Sequence, residues 1–142
     1  MKRQGVLYVD DCKSISWLVK RFFETRYPTY EVLVAPTATE AMHVLEGRAG
    51  KSEFLKAVIV DIQLGPFEDG PSLVHEVRTH YPDMRAIVVS GAITQVDMDR
   101  SYRAGAHAVI EKDSNVDRFV NRLFDLVQCP TDLIPAKAAA AL

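Results

Sequence analysis

Five short apolar runs alternate along this chain with segments whose apolar residues recur every three or four positions. Nothing else in the sequence restricts the fold as much. The runs are Val6 to Val9, Tyr30 to Ala35, Ala57 to Val60, Ala86 to Val89 and Ala108 to Ile110. Each has the length of a strand, and most carry no polar residue. A strand without a polar face must be covered on both sides. The intervening segments supply the cover. Ile15, Leu18, Val19, Phe22 and Phe23 mark one helix face between Ser14 and Arg26, and Ala41, Met42 and Leu45 mark a second. Leu73, Val74 and Val77 mark a third, from about Ser72 to His80. A polar fourth helix runs from about Thr94 to Arg103. Val116, Phe119, Val120, Leu123, Phe124 and Val127 form the clearest stripe of all. Five βα units with right-handed crossovers predict an α/β fold, a doubly wound parallel sheet with helices on both faces.

Local signals punctuate these units. Tyr27-Pro28 and Tyr81-Pro82 end the first and third helices, because a residue before proline avoids the helical region. Thr37-Ala38-Thr39-Glu40 has the form of a capping box. Gly47 and Gly105 are the expected stops of the second and fourth helices, and Ser114 is the expected cap of the fifth. Gly65 to Pro71 reads as a loop, and Trp17 as partly buried core. Residues 1–128 are expected to form one domain. Residues 129–142, with their Ala-rich end, read as a tail, a linker stub or a cloning remnant.

The length of 142 residues suits a single domain, one that buries roughly 70% of its unfolded surface. A net charge of -2 argues against a broad nucleic-acid footprint. Cys12 and Cys129 are too few and too far apart for a disulfide framework or a metal-ligand pair. The opening residues lack the apolar stretch of a signal peptide, and no run approaches the roughly 18 apolar residues of a membrane span. The chain is therefore expected in the cytoplasm, away from membranes. His43, His75, His80 and His107 form no ligand pair on a helix face. Lys2-Arg3 reads as a solvated strand edge.

In a doubly wound sheet, ligands bind beyond the carboxyl ends of the strands, where the strand order reverses. The polar residues at those ends are Asp10 and Asp11, then Asp61, Ser90 and Lys112. Three converging carboxylates repel one another and need a proton or a cation. Mg²⁺ commonly sits between one or two carboxylates and a phosphate. A lysine and a hydroxyl beside it can hold the oxygens of a transferring phosphoryl group. The set suits one reaction, in which Asp61 attacks phosphorus and forms an aspartyl phosphate. Taken singly, each residue has a plainer use: a strand-end aspartate often caps a helix, Ser90-Gly91 could be a turn, and Lys112 could be solvated. Five of them at the ends of four strands, in this order, fit that account poorly.

The segments VLYVDD, AVIVD, AIVVSGA and GAHAVIEKDS resemble the marker segments of bacterial response-regulator receiver domains, and the resemblance runs from Val6 to about Val127. It implies a flavodoxin-like five-stranded parallel sheet, order 2-1-3-4-5, with five helices. It implies that Asp61 is the phosphoacceptor of a two-component phosphorelay and that Asp10 and Asp11 are its acidic pair, with Asp11 favoured as direct ligand. The backbone carbonyl of Gln63 matches the remaining ligand to Mg²⁺ or Mn²⁺, Ser90 the switch hydroxyl and Lys112 the phosphate-pairing lysine. The implied partners are a histidine kinase or phosphotransfer domain and a downstream protein target. The signalling surface would be helix 4, strand 5 and helix 5, with a homodimer through that surface as one option. Such a chain is no enzyme beyond its own phosphorylation and dephosphorylation. Gln63 could orient or obstruct the hydrolytic water and Ala92 leaves room beside the site, so moderate or fast loss of the group is expected.

Two departures stand out. Receivers usually carry proline four residues after the acceptor and glycine eight after. Here Gly65 is fourth, Pro66 follows, and Gly70 is ninth, so the loop is one residue longer. The usual aromatic three residues before the lysine is replaced by Val109. Two other functions compete with this reading. A receiver-shaped binding module that is no longer phosphorylated should lack an acceptor, an acidic pair or a lysine, and none is missing. A haloacid-dehalogenase-like phosphatase opens its first strand with Asp-x-Asp. Here the acidic pair comes first and Gln63 stands where the second acid would be.

Overall fold

The computed structural model describes residues 3–48 and 54–129. Strands and helices alternate throughout. They are β1 (Gln4–Val9), α1 (Lys13–Arg26), β2 (Tyr30–Ala35), α2 (Ala38–Arg48) and β3 (Leu55–Asp61), followed by α3 (Gly70–His80), β4 (Arg85–Ser90), α4 (Gln95–Ala104), β5 (Ala108–Glu111) and α5 (Val116–Gln128). The strands form one parallel sheet in the order β2-β1-β3-β4-β5, the flavodoxin-like order.

Strand side chains alternate between faces, and the apolar runs divide accordingly. Leu7, Val9, Val58, Val60, Ala86, Val88 and Val109 pack with Ala41 and Leu45 of α2 and with Leu73, Val74 and Val77 of α3. Val6, Tyr8, Ala57, Ile59, Ile87, Val89 and Ile110 pack with Val19 and Phe23 of α1 and with Phe119, Val120, Leu123 and Val127 of α5. Each fully buried Val, Leu, Ile or Phe among these contributes about 1.5–3 kcal/mol. Arg85 donates to the α5 carbonyls of Leu126 (2.8 Å) and Val127 (2.7 Å). It thus satisfies acceptors that a helix end leaves open.

Several local expectations are corrected. Helix α3 starts at Gly70 rather than about Ser72. The Asp69 side chain caps it by accepting from Ser72 N, and Pro71 lies in its first turn, where a missing N–H costs nothing. Helix α2 continues through Gly47 to Arg48. Nothing lies within 4 Å of a Cβ placed on Gly47, so this is an outward position where glycine weakens a helix without ending it. The cap of α5 is Asn115, not Ser114; its side chain accepts from Arg118 N at 3.0 Å. Trp17 is 56% exposed, under the Arg21 guanidinium at 5.2 Å. It points away from the face of α1 that buries Ser16, Val19 and Phe23. Arg3 donates to Tyr30 O at 2.8 Å; Lys2 and the tail beyond Cys129 lie outside the described residues.

Candidate functional site

The carboxyl ends of β1, β3, β4 and β5 lie side by side, so the residues that follow them meet. One carboxylate oxygen from each of Asp10, Asp11 and Asp61 lies within 4.8 Å of the others. Lys112 Nζ donates to Asp10 Oδ2 and to Asp61 Oδ2, both at 2.8 Å. Asp10 is 1% exposed and Asp61 8%, while Asp11 faces solvent. A buried anion is costly unless it is paired and hydrogen-bonded. Asp10 meets that condition: Cys12 N–H donates to its Oδ1 at 2.9 Å and the Tyr8 hydroxyl to its Oδ2 at 3.4 Å. Asp61 Oδ1 accepts from Gln63 N–H at 3.2 Å.

Burial raises the Asp61 carboxyl above its ordinary value; the hydrogen bond and charge of Lys112 pull it down, and the charge of Asp10 raises it further. Burial works to lower the Lys112 ammonium. Its bonds to Asp10 and Asp61, together with their charges, outweigh that and raise it. Tyr8 is pushed up by burial and then by the Asp10 charge, so its phenol stays a donor. Three carboxylates against one ammonium leave the ionised cluster with a surplus of negative charge. A hard divalent cation matches both that charge and the all-oxygen donors.

Ser90 is 4% exposed. Its hydroxyl donates to Ala92 O at 2.8 Å and accepts from Ala92 N–H at 3.3 Å, so it faces its own loop and not Asp61. Asp11, Asp61, Gln63, Ser90 and Lys112 all line one open cavity of about 1050 Å³. Asp10, 1% exposed, does not line it.

The longer loop after β3 folds into a small hairpin. Gln63 and Asp69 face each other as an antiparallel bridge, flanked by Gly70 N–H to Ile62 O at 2.8 Å and Leu64 N–H to Glu68 O at 3.3 Å. At the tip of the hairpin Gly65 has φ +109° and Phe67 is 96% exposed. Gly70 stays packed on the end of β3: a Cβ there would clash with Asp61 O and stand 2.9 Å from Ile62 Cα. The Gly70 backbone therefore touches the site.

Sequence reasoning missed the residues that brace this hairpin. Glu68 Oε1 accepts from Ala38 N–H at the start of α2, at 3.2 Å. Asp69 Oδ1 accepts from Ser72 N–H at 2.7 Å, and its Oδ2 pairs with Arg100 of α4 at 2.8 Å. An aspartate two residues before a proline is a readable cap signal; nothing local announces Arg100. At β5, Val109 is buried, and its N–H donates to the Tyr102 hydroxyl at 3.2 Å. The aromatic group beside this strand comes from α4.

A doubly wound parallel sheet with an acidic crevice at its switch point defines the class of protein. Comparisons with known proteins define the family. The response regulator receiver domain family matches residues 6–124, and the chain belongs to that family. An NtrX-like response regulator of Rickettsia felis is 31% identical over 121 residues, covering 84% of this chain and 24% of that protein. The hydrogenase transcriptional regulatory protein HoxA of Bradyrhizobium diazoefficiens is 30% identical over 130 residues, covering 90% of this chain and 25% of that protein. This chain thus spans about a quarter of the length of these relatives. Among solved structures, a CheY-like receiver domain protein of Methanospirillum hungatei superposes with a TM-score of 0.75 at 28% identity. That match covers 89% of this chain and 94% of the other. Among the described residues, no helix is long and apolar enough to cross a membrane.

Proposed function

We propose that this receiver domain accepts a phosphoryl group on Asp61 from a histidine kinase or phosphotransfer domain and passes the signal on by protein contacts. The observation that carries the reading is Lys112 Nζ, 2.8 Å from both Asp61 and Asp10, in a cluster of three convergent carboxylates. An Asp61 oxygen forms the bond to phosphorus as the bond from phosphorus to the donor's imidazole nitrogen breaks, and the imidazole leaves with a proton from solvent. Asp10, Asp11, Asp61 and the Gln63 carbonyl would hold Mg²⁺ or Mn²⁺, which supplies charge neutralisation at the phosphoryl oxygens. Lys112 donates to a phosphoryl oxygen from the other side. It can do so because it already bonds the acceptor and is held protonated by two anions.

Ser90 needs only to give up Ala92 O to donate toward the phosphoryl group. Its strand leads into α4, so the surface formed by α4, β5 and α5 is the proposed output. Tyr102, bonded to β5 from α4, would move with it. The proposed location is the cytoplasm, where such phosphodonors reside.

Incubation with acetyl phosphate and Mg²⁺, followed by intact mass, tests the assignment. One added phosphoryl group is expected, dependent on the divalent cation, lost on mild base treatment and absent in Asp61→Asn. A stable adduct, or one that survives Asp61→Asn, rules the assignment out.

A further inference from the structure

We propose that the Arg100–Asp69 ion pair is a positioning device for the divalent-cation site: it holds the hairpin after β3 so that the Gln63 carbonyl faces Asp61, and so ties that site to α4. The inference rests on the cation-binding reading above.

Gln63 and Asp69 are opposed residues of an antiparallel bridge, and the two bonds that close it belong to their neighbours, Gly70 to Ile62 and Leu64 to Glu68. In such a pair, the N–H and C=O of each opposed residue point away from the partner strand. The Gln63 N–H follows that rule and reaches Asp61 Oδ1 at 3.2 Å. In extended backbone the C=O of the same residue points to the same side. The direction of this carbonyl is therefore set by the placement of Asp69 across the bridge.

Asp69 is fixed by both of its oxygens. Oδ1 caps α3 through Ser72 N–H at 2.7 Å, and Oδ2 takes the Arg100 guanidinium at 2.8 Å. A carboxylate is planar, so two partners in different directions fix its rotation as well as its position. The remaining braces, Glu68 on Ala38 and Gly70 on β3, connect the hairpin to α2 and to its own strand. Arg100 is the brace that comes from α4, and it lines the same cavity as Asp61, Gln63 and Lys112.

Arg100 and Asp69 are 45% and 37% exposed at their side chains. As a stability element such a pair is worth little. A group that orients a ligand can nevertheless matter for affinity when it matters little for folding, and partners behind metal ligands commonly change affinity 10–100-fold. Arg100 acts through one further residue, so the lower end applies. Coupling is reciprocal: if α4 helps to hold the site, occupancy of the site must shift α4.

Mn²⁺ binding followed by electron paramagnetic resonance on the intact chain, with thermal unfolding in parallel, tests this. Arg100→Gln and Asp69→Asn should each weaken Mn²⁺ about tenfold with melting temperatures close to wild type. Arg100→Lys should recover part of the loss. Mg²⁺ should shift the backbone amide resonances of α4 in the wild type and much less in Asp69→Asn. Wild-type affinity in Arg100→Gln would overturn the positioning role while leaving the cation site standing. No Mn²⁺ bound by the wild type would overturn the cation reading itself, and the proposal with it.

Discussion

Gly70→Ala is the sharpest structural test of how the longer loop is accommodated. A Cβ at this position meets the backbone of Asp61 and Ile62, with Ile62 Cα at 2.9 Å and Asp61 C at 3.0 Å. Ordinary carbon contacts lie near 3.5–4.0 Å, so the hairpin or the end of β3 must retreat by about 0.6 Å or more. Both neighbours are main chain in a packed strand end, so no side chain can rotate to absorb the change. Overpacking of this kind costs about 2 kcal/mol, which at this chain length lowers the melting temperature by about 6 °C. The same displacement carries Gln63 with it and should weaken Mn²⁺ binding. Thermal unfolding by circular dichroism without divalent ions, together with Mn²⁺ titration, reads both effects. Gly47→Ala is the matched control: no atom lies within 4 Å of its Cβ, and an outward helix position should gain up to about 1 kcal/mol. A Gly70→Ala protein that melts within about 1 °C of wild type and binds Mn²⁺ unchanged would refute the close-approach argument.

Other perturbations test separate links. In Asp61 the folded pKa is raised, chiefly by burial. Its contribution to stability is therefore present below the unfolded value of 3.8 and lost as pH rises through the folded value. Asp61→Asn should gain in melting temperature relative to wild type between acid and neutral pH; a gap that stays flat contradicts the buried-carboxylate account. His107 goes the other way. Its ring is lowered by burial and then by the Arg78 and Arg85 charges, and its Nδ1 accepts from Ala86 N–H at 3.1 Å. Its contribution is present above the unfolded value of 6.5 and falls as pH drops through the folded value. His107→Gln should flatten that limb of a stability–pH curve, and an unchanged limb would exclude His107 as its source. Thr94 caps α4 through Asp97 N–H at 3.1 Å. Thr94→Ala should cost about 1 kcal/mol in urea unfolding, and a midpoint equal to wild type would discount the cap.

The sheet was legible because its central strands hold uninterrupted apolar runs, Val6 to Val9, Ala57 to Val60 and Ala86 to Val89, which call for cover on both faces. Asp10, Asp11, Asp61, Ser90 and Lys112 were legible for a related reason. Each ends a strand or lies within two residues of its end, and a parallel sheet gathers its carboxyl ends on one side. Fine boundaries were less so. Ser114 and Asn115 are adjacent cap formers, and only the reach of Asn115 to Arg118 N–H separates them. Trp17 looked like core by composition, yet its position on α1 lies off the buried stripe. The Arg100–Asp69 pair joins residues 31 apart in sequence, through a hairpin closed by its own backbone bonds. No local pattern encodes that contact.

Crystals grown with Mn²⁺ and beryllofluoride, the latter standing in for the phosphoryl group, would locate cation and acceptor together through the anomalous signal of the metal. The expected map shows Mn²⁺ bonded to Asp11, Asp61 and the Gln63 carbonyl, with beryllofluoride on Asp61 and Lys112 against a fluorine. Manganese lodged away from these three, or beryllofluoride on any residue but Asp61, would contradict the account at its root.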